Sequence, residues 1–305
     1  MILAIFSIIF GMLALYFGGI CMLQFCIGVS QIFRLAISFV STILVAFVTS
    51  LPEVVTTLIA QSKEGLDDVA MGNVIGSNII NIGIILSASL LISPYLCDKN
   101  IRYFFAPLSF VIHLVLLLFL RDGVFGVGKA NLFMLALMGY VVILIKMSKS
   151  NTLIQKTSVK KDMIVVYGIG AILGLIIGAE SLVRGSIVLG RQFGISERIL
   201  GLTVIALGTS LPELATSLIA AWKKEEEVAV ANVIGSNILN PLLILPLAAW
   251  VRPISFSPRF VRVDLPFLIG ISGLLCLLMV FLPKLSRIHG ILFFCLYVLY
   301  FLWIL

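Results

Sequence analysis

Apolar residues run in blocks of about 20 along this chain, and polar residues gather in short gaps between the blocks. A helix needs about 20 mostly apolar residues to cross the hydrocarbon core of a bilayer. The pattern therefore predicts ten spans, at about 2–23, 36–61, 69–92, 103–120, 128–147, 163–183, 198–222, 228–250, 263–282 and 289–305. The runs are continuous, whereas the strands of a membrane β-barrel alternate apolar and polar positions. The fold class expected is an all-α membrane protein. No basic residues precede the first run and no A-x-A-like site follows it, so it reads as a span and not as a cleaved leader.

The polar positions inside the runs repeat. Thr49–Glu53 and Thr209–Glu213 both read TSLPE, and Asn73–Ile79 and Asn232–Ile238 both read NVIGSNI. A shift of 160 residues lays Gly18 on Gly178, Ala46 on Ala206, Pro52 on Pro212 and Glu53 on Glu213. Beyond that motif the shift becomes 159, laying Asn73 on Asn232, Ser77 on Ser236 and Asn81 on Asn240. The expectation is one five-span unit made twice, at 1–147 and 163–305, with the motif regions at 46–81 and 206–240. An odd number of spans makes the second unit enter the membrane from the opposite side. The repeats are then inverted, as in many secondary transporters.

Composition agrees with a bilayer as solvent: 61% of residues are hydrophobic and 11% charged, where soluble domains average about 25% charged. The net charge of +7 is no mark of nucleic acid, because the basic residues are scattered over short loops with no soluble domain to carry them. Lys146, Lys149, Lys156, Lys160 and Lys161 gather at the 148–162 linker. Positive charge stays inside, so the linker is expected in the cytoplasm and both termini outside the cell, in a multi-pass plasma-membrane protein. Cys21, Cys26, Cys97, Cys276 and Cys295 form no C-x-x-C pair.

A carboxylate at membrane depth is costly and points to function. Glu53 and Glu213 each follow a proline. Pro212 cannot donate to the carbonyl of Gly208, nor Pro52 to that of Val48, so each helix is expected to open beside its glutamate. The freed carbonyls need partners that lipid cannot offer, and a dehydrated cation is one. Ser210 and Glu213 share a helix face, as do Ser77 with Asn81 and Ser236 with Asn240. Carboxylates, hydroxyls, amide oxygens and carbonyls are hard ligands. Without a His or Cys cluster they suit Na⁺ or Ca²⁺ rather than Zn²⁺ or Cu⁺.

The paired motifs GTSLPE and GNxxGSN resemble the two α-repeats of the cation/Ca²⁺ exchanger superfamily, and most of all the compact prokaryotic sodium/calcium exchangers. The resemblance covers essentially the whole chain. It implies antiport of Ca²⁺ against Na⁺ by alternating access. It also implies ion ligands at Ala46, Thr49, Ser50, Glu53, Ser77 and Asn81, and at Ala206, Thr209, Ser210, Glu213, Ser236 and Asn240. The alanines, and the threonines in part, would act through their carbonyls. Val48 stands where the family usually has glycine. Asn240 stands where several relatives have the aspartate that goes with K⁺ dependence, so the Asn81/Asn240 pair argues against K⁺. The second motif lacks the extra acid of proton-coupled relatives, which favours Na⁺ over H⁺. A Ca²⁺/H⁺ or other divalent-cation antiporter is the alternative.

Each feature has a blander reading. A lone Ser77 is most simply helix glue, but a repeated set beside two carboxylates is not. Gly72 and Gly76 read as close helix packing, and Glu180 with Arg184 at i+4 as a boundary ion pair, with the lining of an access path as the alternative. Asp67, Asp68 and Glu225–Glu227 read as solvated loop faces or helix starts, and His113 and His289 as isolated. An intramembrane enzyme would need a nucleophile and base or a metal motif such as HExxH, which is missing. No resident cofactor is implied, only the transported ions. A channel would normally draw its pore from several subunits or along a continuous axis. Here one chain completes the site, so the expected functional unit is a monomer.

Overall fold

The computed structural model describes residues 1–33, 45–147 and 161–305. The start of the second expected span (36–44) and linker residues 148–160 lie outside the described residues. The helices are α1 (Ile2–Phe33), α2 (Val45–Thr49), α3 (Leu51–Gln61), α4 (Asp67–Ile92), α5 (Ile101–Phe119), α6 (Val127–Met147), α7 (Lys161–Phe193), α8 (Glu197–Thr209), α9 (Leu211–Trp222), α10 (Glu226–Val251), α11 (Phe260–Phe281) and α12 (Arg287–Ile304). Among the described residues, eight helices are long and apolar enough to cross a membrane. The bent pair α8–α9 makes a ninth, and Ala46–Gln61 is a shorter apolar helix. The protein is a nearly all-helical, multi-pass membrane protein.

Burial sorts the helices into layers. The α4 and α10 spans are 78% and 83% buried, against 22–39% for the other unbroken spans. These two motif-bearing helices form the centre, and the rest turn Leu, Ile and Phe side chains outward. Apolar burial gives little drive between helices in lipid, so close backbone packing takes its place. A Cβ on Gly72 of α4 would lie 2.9 Å from the Gly201 Cα of α8, which leaves room only for hydrogen.

α1 and α7 form a pair across this centre. A Cβ on Gly18 would sit 2.9 Å from the Gly174 carbonyl carbon, so the two backbones touch. Gly19 faces the other way, and a Cβ there would meet Pro212 at 3.1 Å and Pro52 at 3.9 Å. Both helices are longer than expected, at 32 and 33 residues. No proline interrupts either helix, and α7 ends only where Gly194 takes a positive φ of 67°. There the Ile195 N–H donates to the Gly190 carbonyl at 2.8 Å, a glycine-dependent helix stop. At 1.5 Å per residue each helix is about 48 Å long, beyond the ~30 Å hydrocarbon core.

Two short antiparallel ladders pair segments far apart in the chain: β1 (Tyr95–Leu96) with β4 (Lys284–Leu285), and β2 (Val124–Phe125) with β3 (Ile254–Ser255). Single π-helical turns occur at Asn81–Leu86, Ile101–Phe105, Gly201–Ile205, Asn240–Ile244 and Phe260–Asp264. At the start of α8, Arg198 forks onto Asp264 at 2.6 and 2.7 Å, and the Tyr300 hydroxyl donates to the same carboxylate at 2.8 Å. Both charges are buried. Asp67 and Asp68 do start a helix, yet both are tied down. Asp67 accepts from Gln61 at 2.8 Å and Arg252 at 3.2 Å, and Asp68 from the Ser257 N–H at 2.7 Å. Glu180 bonds Arg184 as its spacing predicts, and also Lys63 at 2.8 Å from the α3–α4 turn.

Candidate ion-binding site

The two broken spans set the site. Pro52 and Pro212 are the second residues of α3 and α9. Their missing N–H groups leave the carbonyls of Val48 and Gly208 without helical donors. The preceding residues, Ser50 (φ −79°, ψ 0°) and Ser210 (φ −83°, ψ 10°), leave helical geometry, and α8 meets α9 at 49°. Both motifs therefore depart from helical geometry at the serine, and the second is also sharply bent there. A proline at the second position of a helix also needs no donor there, so the chain resumes its helix at once and carries Glu53 and Glu213 in the first turn.

Each motif is completed by the other half. The Ser210 hydroxyl donates to Glu53 Oε1 at 2.8 Å, and the Ser50 hydroxyl lies 3.3 Å from Glu213 Oε1 and 3.2 Å from Ser236 Oγ. Thr209 Oγ1 lies 3.1 Å from Asn73 Oδ1, and Thr49 Oγ1 lies 3.3 Å from Asn232 Oδ1. Each threonine hydroxyl also reaches a carbonyl of its own motif, Ala206 at 3.1 Å and Ala46 at 3.3 Å. Asn73 and Asn232 turn their amide nitrogens to the carbonyls of Glu53 (3.2 Å) and Glu213 (3.4 Å), and to Thr57 and Ser217.

A second crossed set lies one turn on. Asn81 Nδ2 donates to Asn237 Oδ1 at 2.9 Å, and Asn240 Nδ2 donates to Asn78 Oδ1 at 2.8 Å. Backbone carbonyls fix which way these amides point. Asn78 Nδ2 donates to the Asn237 carbonyl at 3.3 Å, and Asn237 Nδ2 donates to the Asn78 carbonyl at 3.2 Å. A carbonyl only accepts, so the nitrogen must face it. The Oδ1 of Asn78 and of Asn237 must then take the amide N–H of Asn240 and Asn81, and this leaves the Asn81 and Asn240 oxygens to face elsewhere.

Those oxygens have no partner among the described residues. Neither do Glu53 Oε2, Glu213 Oε2 and Ser77 Oγ. Buried polar atoms are nearly always bonded; Thr56, Gln61 and Ser186 also carry such an oxygen, but five of the unpartnered oxygens fall on five of the twelve expected ligands, where a cation could take them. All twelve expected residues are buried to 3% exposure or less. Two carboxylates among neutral oxygens have the composition of a hard-cation site. The described residues contain no group of three or more His, Cys, Asp or Glu suited to a metal.

A family model described as "Sodium/calcium exchanger protein" matches residues 3–146 and 163–305. The chain belongs to the sodium/calcium exchanger protein family. Relatives of this exchanger-family chain include the inner membrane protein YrbG of Escherichia coli K12, 32% identical over 243 residues that make up 75% of this chain and 74% of that one. The sodium/calcium exchanger MaX1 of Methanosarcina acetivorans is 28% identical over 301 residues, 84% of this chain and 85% of its own. The solved structure of the sodium-calcium exchanger NCX_Mj, soaked with 2.5 mM Na⁺ and 0.1 mM Ca²⁺, superposes with a TM-score of 0.70 at 28% identity. It covers 98% of this chain and 97% of that one.

Reading the motifs alone did not single out Asn73, Asn78, Asn232 and Asn237, whose amides bond across or beside the expected ligands. Their repetition in register was the available signal, since each recurs at the 159-residue shift. It also took His113 as isolated, whereas its Nε2 lies 3.0 Å from Asn78 Nδ2.

Proposed function

We propose that this exchanger-family chain is a secondary antiporter that exchanges Ca²⁺ for Na⁺ by alternating access. The carrying observation is the set of orphaned buried oxygens on Glu53, Ser77, Asn81, Glu213 and Asn240, drawn from both halves of the chain. In this reading the ligands are Ala46, Thr49, Ser50, Glu53, Ser77 and Asn81 with Ala206, Thr209, Ser210, Glu213, Ser236 and Asn240. Ala46 and Ala206 act through their carbonyls. The charge of Ca²⁺ balances both carboxylates, and Na⁺ ions take the same oxygens in its place. The two loads exclude one another, and that competition is what coupling requires. The names of MaX1 and NCX_Mj support this choice of ions.

The fold proposed is ten spans in two inverted five-span repeats, 1–147 and 163–305. The reciprocal bonds between the halves and the matched breaks support it. The α1–α7 pair is the moving part. Its glycine contacts permit sliding, and Gly19 rests against both break prolines. The ligands are buried on every side, which supports an occluded state between two access states. The termini lie outside a plasma membrane and the 148–162 linker in the cytoplasm. The working unit is a monomer, with no enzymatic activity and no resident cofactor.

The test is ⁴⁵Ca²⁺ uptake into proteoliposomes under separate outward gradients of Na⁺, K⁺ and H⁺. A Na⁺ gradient alone drives uptake if the proposal holds. Uptake driven by a proton gradient alone moves the assignment to Ca²⁺/H⁺ exchange. Uptake that needs no counter-ion moves it to a channel.

A further inference from the structure

The two halves orient their amide oxygens by crossed hydrogen bonds, but they do so unequally. Asn237 is held by one backbone carbonyl, that of Asn78. Asn78 is held by the Asn237 carbonyl and, in addition, by the ring of His113 on α5. His113 is fully buried at 0% exposure. The residue at its place in the second half, 159 positions on, is Ser272. Ser272 donates to the Ile269 carbonyl of its own helix at 3.2 Å and makes no bond to Asn237 among the described residues.

One assignment of donor and acceptor fits the amides on either side of the contact. Asn78 presents its nitrogen to His113 because the same nitrogen must face the Asn237 carbonyl. An amide nitrogen offers no lone pair, so His113 Nε2 is the acceptor. The ring is then the neutral tautomer with its hydrogen on Nδ1. That Nδ1 has no partner among the described residues.

We propose that His113 is a positioning residue for the bound cation. By accepting from Asn78 it locks the Asn78 amide, which locks the Asn240 amide, which keeps the Asn240 oxygen turned to the ion. Asn240 is thereby the pre-oriented amide ligand of the pair. Asn81, whose partner Asn237 lacks such a ring, is the one free to turn as ions enter and leave. The inference rests on the proposed cation site and adds an asymmetry to it.

The test compares His113→Leu, His113→Gln and Ser272→Ala. Leucine removes the acceptor, and glutamine returns one, since its amide oxygen can reach the place of Nε2. The measurements are ⁴⁵Ca²⁺ equilibrium binding in detergent and half-saturation and maximal rate of Na⁺-driven uptake. Thermal unfolding of each variant reports whether the fold is intact. We expect His113→Leu to weaken Ca²⁺ binding and raise half-saturation by about tenfold, roughly 1.4 kcal/mol, with the maximal rate kept. We expect His113→Gln to restore both, and Ser272→Ala to leave both unchanged. Wild-type half-saturation in a folded His113→Leu protein overturns the proposal, as does a loss confined to maximal rate. Where His113→Leu fails to fold, a folded His113→Gln protein that binds Ca²⁺ as weakly as an Asn240→Ala variant overturns it as well. A wild type that binds no Ca²⁺ and drives no uptake defeats the cation-site reading itself, and the inference with it.

Discussion

At the scale of single residues, charge decides. Glu53 and Glu213 each keep one carboxylate oxygen on a serine of the other half and one without a partner. Glu213→Gln keeps the shape and the serine contact but removes one of the two charges of the proposed cation site. We expect it to weaken Ca²⁺ binding by about 100-fold, roughly 2.8 kcal/mol, and to abolish uptake nearly completely. Equilibrium ⁴⁵Ca²⁺ binding checks the first and proteoliposome flux the second. Normal flux would remove Glu213 from the site. Both glutamates are legible in the sequence because a carboxylate inside an apolar run has no cheap structural explanation. The asparagines bonded to their backbone carbonyls are less legible. A buried amide serves equally as glue or as a guide, and only the partner across the site decides which. Asn73, for one, touches Glu53 nearby in the chain and Thr209 far from it.

At the scale of elements, the prolines and glycines do the placing. The breaks at Ser50 and Ser210 follow from the proline chemistry, so they are readable in advance. What rests on them is not readable, because a glycine in an apolar run reports only that something comes close. Gly19 meets both break prolines. A Gly19→Leu side chain would collide there, and overpacking of about 1–3 kcal/mol would oppose any slide of α1. We expect it to slow Na⁺–Ca²⁺ exchange about tenfold or more while Ca²⁺ still binds. Loss of binding equal to the loss of rate would contradict this. The Arg198–Asp264–Tyr300 cluster ties the start of α8 to α11 and α12, and it was invisible because its members are separated by 66 and 36 residues. Asp264→Ala would strand a buried guanidinium at a cost of about 3–5 kcal/mol. Pairing it with Arg198→Met should recover most of that loss. Thermal unfolding of the two variants in detergent reads the difference.

At the scale of the whole molecule, neither half is complete alone. Ser50 reaches Glu213, Ser210 reaches Glu53, and the asparagines bond crosswise. We expect residues 1–147 and 161–305, produced as separate chains, to bind no Ca²⁺ singly and to regain binding when produced together. Binding by either piece alone would show that its motif is self-sufficient. The doubled plan itself is legible in the sequence from the repeated TSLPE and NVIGSNI. The crossing of bonds between copies is not, because alignment shows likeness and not contact.

The pairing of β1 with β4 and β2 with β3 bears on how the chain is made. A ribosome releases Tyr95 and Val124 well before Ile254 and Lys284, so both early strands wait with open edges until their partners have emerged. The two ladders close late in biogenesis, and a nascent chain that stalls before residue 284 carries an exposed strand for quality control to find.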